Sequence, residues 1–226
     1  MGKLIAIGGG PNGGDFDRSL EEKIRNLLHK EQPKVVFIPY ASSDFVDNFT
    51  EFKRIYEQLG CEVILLKPGK EKILLLADLI YIGRGGTIPL LKKLEDTNAI
   101  LYVKNAFLNG VTIAGFSAGA HALFTNACSN EENIGFTMVK GLGFINTCIV
   151  THYNYKNRAD AFHDMVIKSN ISGIGLEDHT MMVMENNIAK IVSSRPEANG
   201  YLIEIVDSKL SKTRITGKEL ILPLQN

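Results

Sequence analysis

Apolar positions along the chain keep two different rhythms. Lys3–Ile7, Val35–Ile38, Val63–Leu66, Leu79–Ile82 and Val111–Ala114 are short, nearly unbroken apolar runs. Runs of this length predict strands, and their lack of alternation predicts a sheet covered on both faces. Between them the spacing changes to that of a helix. Leu20, Ile24, Leu27 and Leu28 recur every three or four residues, and Asp17 or Ser19 stands where a cap is needed. Phe49 to Leu59 keeps the same period and stops at Gly60, while Ile88–Leu94 and Ala99–Asn109 give two further helices. Strands alternating with helices imply parallel pairing through crossovers, and so a doubly wound, mostly parallel α/β sheet.

Beyond about residue 180 the pattern becomes strand after strand. Met181–Met184, Ile188–Val192, Tyr201–Val206 and Leu220–Leu224 are short apolar runs, and Asn186-Asn187, Asn199-Gly200 and Asp207-Ser208 supply turns. These predict antiparallel hairpins added at the sheet edge. No linker, repeat or biased segment interrupts the chain, so residues 1–226 read as one domain.

Composition narrows the function classes. Lys plus Arg and Asp plus Glu both total 25, so the formal net charge is zero, against the basic excess that nucleic-acid binding requires. No apolar run reaches the length of a membrane span, and the start meets glycines too soon for a secretory leader. A cytoplasmic protein that uses neither nucleic acid nor membrane is expected. Cys61, Cys128 and Cys148 lack metal-ligand spacing and are odd in number, which predicts reduced, buried thiols, no metal and no cofactor. The Gly8–Gly14 loop is not followed by Gly-Lys-Ser/Thr, so it is no phosphate loop. The apolar face of Leu90–Leu94 suits either the core or a dimer contact, which leaves monomer and homodimer open.

The chemistry concentrates at Gly115-Phe116-Ser117-Ala118-Gly119, a G-x-S-x-G pattern after an apolar strand and before a helix drawn over Ala118 to Thr125. A strand-to-helix bend of this kind exposes a nucleophilic hydroxyl, and its close chain crossings require small residues on both sides. Ser117 is the candidate nucleophile. Its base should be an imidazole at a strand's carboxyl end. His152, after Cys148-Ile149-Val150, meets that condition best, and His179, after Gly173–Leu176, is the alternative. Glu131, Glu132, Glu177 and Asp178 are the candidate orienting carboxylates. For the oxyanion, one donor is the Ala118 N–H, and the second belongs to the glycine loop Gly83–Thr87 or to Gly8–Gly14.

Gly83-Arg84-Gly85-Gly86-Thr87 before a helix, Ser117-Ala118-Gly119-Ala120, and Thr151-His152-Tyr153 together resemble the peptidase E / cyanophycinase group of serine peptidases, over roughly residues 1 to 195. The resemblance implies a class I glutamine-amidotransferase-like (flavodoxin-like) fold. It also implies metal-free hydrolysis of small peptides, aspartyl dipeptides among them. It assigns Ser117 as nucleophile, His152 as base, Glu132 as acid, and Gly85 with Ala118 as oxyanion donors. Arg84 and Gly86 depart from the group's glycine loop where substrate is read. With Thr87 and Arg158 they are the candidate substrate contacts, and an arginine there favours an acidic side chain or terminal carboxylate.

Overall fold

The computed structural model describes residues 1–42 and 45–224. In chain order the elements begin β1 (Leu4–Ile7), α1 (Arg18–Asn26), β2 (Lys34–Ile38), α2 (Phe45–Gln58) and β3 (Glu62–Leu65). A 3₁₀ turn over Glu71–Leu76 leads to β4 (Leu79–Ile82), α3 (Thr87–Asp96), α4 (Ala99–Leu108), β5 (Thr112–Phe116) and α5 (Ala118–Leu123). There follow β6 (Phe124–Glu131), β7 (Gly135–Lys140), β8 (Ile145–Thr151), α6 (Lys156–Ser169), β9 (Gly173–Leu176), β10 (Thr180–Glu185) and β11 (Ile188–Ser193). The last are β12 (Gly200–Val206), β13 (Lys209–Arg214) and β14 (Glu219–Ile221).

The five early strands form the parallel unit that the apolar runs predict, in the order β1-β5-β4-β2-β3. All four residues of β1 and of β4, and all five of β5, are buried, as a sheet covered on both faces requires. On one face lies an aromatic cluster. Phe16 packs 5.5 Å from Phe116, and Phe37, Phe52, Tyr56 and Tyr81 stack around them. Ring pairs of this kind add about 0.5–1.5 kcal/mol each beyond the area they bury. Here they also pin the Gly8–Gly14 loop, which Phe16 follows, beside the residue that precedes Ser117. Leu90 and Leu94 are fully buried on the opposite face, so the apolar face of Leu90–Leu94 belongs to the core.

Edge hairpins account for only part of the second half. β10, β11 and β14 do extend the first sheet, antiparallel from β1. The remaining strands build a separate six-stranded sheet, β13-β12-β9-β8-β6-β7, in which β6, β8 and β9 run parallel. The split begins where the elbow helix was expected to continue to Thr125. It stops at Leu123 and the chain turns extended at Phe124. The six-residue helix is buried along its whole length. Phe124, Ala127 and Cys128 gain burial by pairing β6 between β7 and β8. β13, Lys-Leu-Ser-Lys-Thr-Arg, lacks an apolar run and carries the charged pattern that protects an edge strand.

Backbone hydrogen bonds join the two sheets beside the end of β1. The His152 N–H donates to the Gly8 carbonyl at 3.0 Å, the His179 N–H to the Gly9 carbonyl at 2.9 Å, and the Gly8 N–H to the Thr180 carbonyl at 2.9 Å. The carboxyl ends of β1, β4 and β5 therefore converge with those of β8 and β9.

Candidate active site

Ser117 sits between β5 and α5 with φ 51° and ψ −106°, a backbone conformation rarely adopted by a residue with a Cβ. The crossings explain the flanking glycines. A Cβ on Gly115 would lie 2.2 Å from the Gly119 carbonyl oxygen, and one on Gly119 would lie 2.2 Å from that of Ile82. The bend leaves the serine partly exposed while its neighbours Phe116 and Ala118 are buried.

The Ser117 hydroxyl lies 2.9 Å from His152 Nε2, and His152 Nδ1 lies 2.6 Å from Asp178 Oδ1. The second carboxylate oxygen of Asp178 accepts from Asn154 Nδ2 at 3.1 Å, while Asn154 Oδ1 accepts from the Asp178 backbone N–H at 2.9 Å. His152 and Asp178 are 10% and 8% exposed at their side chains, so the bond between them is sheltered from water. Gly9 contributes to that shelter, since a Cβ there would fall 1.8 Å from Asp178 Oδ1 and 2.5 Å from His152 Nδ1. The Asp178 carboxylate also raises the phenol of nearby Tyr155 above its ordinary value.

Of the four carboxylates read from the sequence, Asp178 is therefore the one beside the imidazole. Glu132, the acid implied by the resemblance, is exposed in the turn between β6 and β7 and makes no contact with His152. The six-stranded sheet decides this: register pairs Thr151 with Leu176, which brings the residues just past both strands together. Glu177 points elsewhere and accepts the Asn199 N–H at 2.8 Å. His179, the alternative base, bonds Asp17 through Nδ1 at 2.6 Å, and Ser194 Oγ–H donates to the same carboxylate at 2.5 Å.

Glu131 is buried and receives the start of α3. Its Oε1 accepts from the Thr87 N–H at 2.9 Å and from Ser129 Oγ–H at 2.5 Å, and its Oε2 accepts from the Ile88 N–H at 3.3 Å. A carboxylate at a helix N-terminus meets the partial positive charge of unpaired N–H groups. From there a buried polar chain continues through Thr87 Oγ1 to His121 Nδ1 at 3.0 Å, and from His121 Nε2 to Thr151 Oγ1 at 3.0 Å. Burial pushes His121 down to about 3, so its imidazole is neutral and structural. The chain ties together α3, α5 and the end of β8. Thr87 is thus a buried strut rather than a substrate contact, and the Gly86 N–H is committed to the Ala41 carbonyl at 2.8 Å.

A cleft of about 620 Å³ opens over Ser117 and His152, lined also by Arg84, Gly85, Tyr155 and Arg158. Arg84 donates two N–H groups to Asn48 Oδ1 and lies 5.8 Å and 6.0 Å from the Phe16 and Phe116 rings. Arg158 is half-buried above the Phe136 ring, and burial lowers its pKa. Among the described residues neither arginine pairs with a carboxylate. Asn48, Asn154 and Tyr155 were not singled out from the sequence. Nothing in their spacing distinguishes them from ordinary turn and helix-surface residues. Cys61, Cys128 and Cys148 are free and buried, as expected. No helix of the described residues is long and apolar enough to cross a membrane.

A hydroxyl, an imidazole and a carboxylate bonded in series where the carboxyl ends of the two sheets converge have the arrangement of an acyl-transfer site. The model of peptidase family S51 matches residues 4–192, and the chain belongs to that family; on that membership it is a peptidase. It is 29% identical over 230 residues to the uncharacterized peptidase YgaJ of Bacillus subtilis strain 168, covering 97% of this chain and all of that one. It is 26% identical over 192 residues to peptidase E of Nostoc sp. strain PCC 7120, covering 77% of this chain and 78% of the relative. A crystal structure of a peptidase from an acI-B1 Actinobacterium superposes with a TM-score of 0.74 at 20% identity, over 98% of this chain and 97% of that one, a likeness of fold.

Proposed function

We propose that this chain is a serine peptidase that hydrolyses small peptides through an acyl-enzyme on Ser117, with His152 as base and Asp178 as the orienting acid. One observation carries the reading: the unbroken series from Ser117 Oγ through His152 to Asp178, at 2.9 Å and 2.6 Å. His152 Nε2 takes the hydroxyl proton as Ser117 attacks the scissile carbonyl. Asp178 holds the tautomer with hydrogen on Nδ1, which leaves the Nε2 lone pair facing the serine. The N–H groups of Ala118 and Gly85 receive the developing oxyanion. The fixed backbone of Gly85 supports this role: its φ is +143°, and a Cβ would lie 2.0 Å from the Ala41 carbonyl oxygen. His152 then returns its proton to the leaving amine, and water repeats the cycle on the ester.

Arg84 and Arg158 line the cleft without carboxylate partners, which favours an acidic residue on the acyl side of the scissile bond, as in the aspartyl dipeptides that the sequence resemblance suggests. Every group in this scheme comes from one chain, so a monomer suffices. Buried reduced thiols suit the cytoplasm.

Ser117→Ala tests the assignment. Turnover should vanish, with the melting temperature unchanged and labelling by a fluorophosphonate probe lost. Hydrolysis retained in that variant rejects Ser117 as nucleophile. A panel of aspartyl dipeptides, aminoacyl esters and β-aspartyl-arginine separates this reading from an esterase or a cyanophycin-type exopeptidase. A wild-type Ser117 that ignores the probe would mark a noncatalytic binding protein.

A further inference from the structure

Gly85, Ser42 and Asn130 line the cleft above Ser117 and also a second, larger cavity of about 880 Å³. The two spaces thus share a wall at the proposed oxyanion loop. The volume of the second falls within the about 300–1,000 Å³ typical of small-ligand sites. One wall is apolar, formed by Leu65, Leu66, Pro68 and Pro89, and Lys67 and Lys93 stand on its lining. Both lysines are exposed, and among the described residues neither forms an ion pair. Two carboxylates also line it, but Glu131 spends both oxygens on Thr87, Ile88 and Ser129 at the start of α3. Among the described lining residues, two lysines without an ion pair thus stand with one exposed carboxylate, that of Glu132.

We propose that this cavity is an extended subsite for the leaving-group side of a peptide longer than two residues. Apolar residues lie along the Leu65–Pro68 wall, and Lys67 and Lys93 hold the terminal carboxylate. The inference rests on the peptidase reading of Ser117 and names the substrate class for that same site. A dipeptide fills only the cleft. A tetrapeptide with an N-terminal aspartate places its acidic side chain near Arg84 and Arg158 and runs its remaining residues past Gly85 into the second space. An extended peptide advances about 3.3–3.6 Å per residue, so each added residue reaches further along the wall. Long, flexible lysines at an exposed site give modest gains, so the expected preference for the tetrapeptide is about five- to tenfold.

The test compares kcat/KM for an aspartyl-leucine dipeptide, the tetrapeptide Asp-Leu-Leu-Leu and its C-terminal amide, in wild type and a Lys67→Gln/Lys93→Gln variant. Wild type should favour the free tetrapeptide about five- to tenfold, through KM. The amide and the double variant should each abolish that preference and leave dipeptide hydrolysis unchanged. Equal kcat/KM for dipeptide and tetrapeptide in wild type, or a preference that survives either amidation or the double substitution, overturns the proposal. Calorimetric binding of the same peptides to Ser117→Ala, with and without the two lysine changes, reads the subsite without turnover. Loss of all hydrolysis and of probe labelling in wild type would overturn the peptidase reading alone, because binding would still report on the cavity.

Discussion

Replacing Asp178 by asparagine is the most direct challenge to the arrangement around His152. The substitution preserves shape and removes only the charge, and its consequence follows from Asn154. The Oδ1 of that residue accepts the Asp178 backbone N–H at 2.9 Å, so its Nδ2 must face the residue-178 side chain, 3.1 Å from Oδ2. An asparagine at 178 has to give its carbonyl oxygen to that donor, since two NH₂ groups would otherwise confront each other. Its own NH₂ then points at His152 Nδ1 across the 2.6 Å contact. Nδ1 must become an acceptor, the ring proton moves to Nε2, and the base presents a hydrogen to Ser117 Oγ where a lone pair is needed. A wrong tautomer in a serine triad costs about ten-thousandfold in kcat, or roughly 5.4 kcal/mol of transition-state stabilisation at 1.36 kcal/mol per factor of ten. Steady-state hydrolysis of an aspartyl dipeptide by Asp178→Asn should fall by about that factor, with the thermal midpoint nearly unchanged. Glu132→Gln, altered in an exposed turn, should keep wild-type kcat within about twofold. An Asp178→Asn enzyme that retains a tenth of its activity, or a Glu132→Gln enzyme that loses a hundredfold, would refute the reasoning.

Three further outcomes are expected. Gly9→Ala puts a methyl carbon 1.8 Å from Asp178 Oδ1, so kcat on the same dipeptide should drop at least a hundredfold even where circular dichroism reports an intact fold. Glu21 is wholly buried against the Tyr56 and Tyr81 hydroxyls, and burial raises it to about 7 from 4.5. A carboxyl that holds its proton more tightly in the folded state stabilises fully below pH 4.5, and that contribution is lost as pH rises through 7, about 3 kcal/mol in all. His121, lowered to about 3, acts with the opposite sign below pH 6.5, so the measurement is the difference between wild type and Glu21→Gln. Glu21→Gln should become relatively more stable in denaturant titrations as pH increases from 4.5 to 7, and a flat difference would contradict the assignment. Cys128 and Cys148 are buried and pushed up to about 12, so iodoacetamide at pH 8 should leave them unmodified until denaturant is added; rapid labelling of the native protein would place them elsewhere.

Legibility differed between the parts of the site according to how local their physics is. The elbow was readable because Gly115 and Gly119 answer clashes with chain a few residues or one neighbouring strand away, so a five-residue pattern carries the whole constraint. His152 was readable from its position at the end of an apolar run. The carboxylate was not: the resemblance implied Glu132, whereas the one bonded to His152 in the structure is Asp178. A carboxylate near residue 131 and one near residue 178 look alike in sequence, and only the pairing of β8 with β9 distinguishes them.

From the amino-acid sequence alone came the five parallel strands with their helices, the hydroxyl at the bend, and the hairpins after residue 180. Each is set by periodicity or by contacts within a short stretch of chain. Tertiary structure decided that the elbow helix breaks at Leu123, that a second sheet forms beyond it, and that Asp178 rather than Glu132 meets His152. It also withdrew Thr87 from the cleft into a buried chain with Glu131 and His121. Such outcomes depend on which strands find each other across dozens of residues. The free energy that selects among those pairings comes from burying apolar side chains and satisfying polar groups in a shared interior, and no local window of sequence contains it.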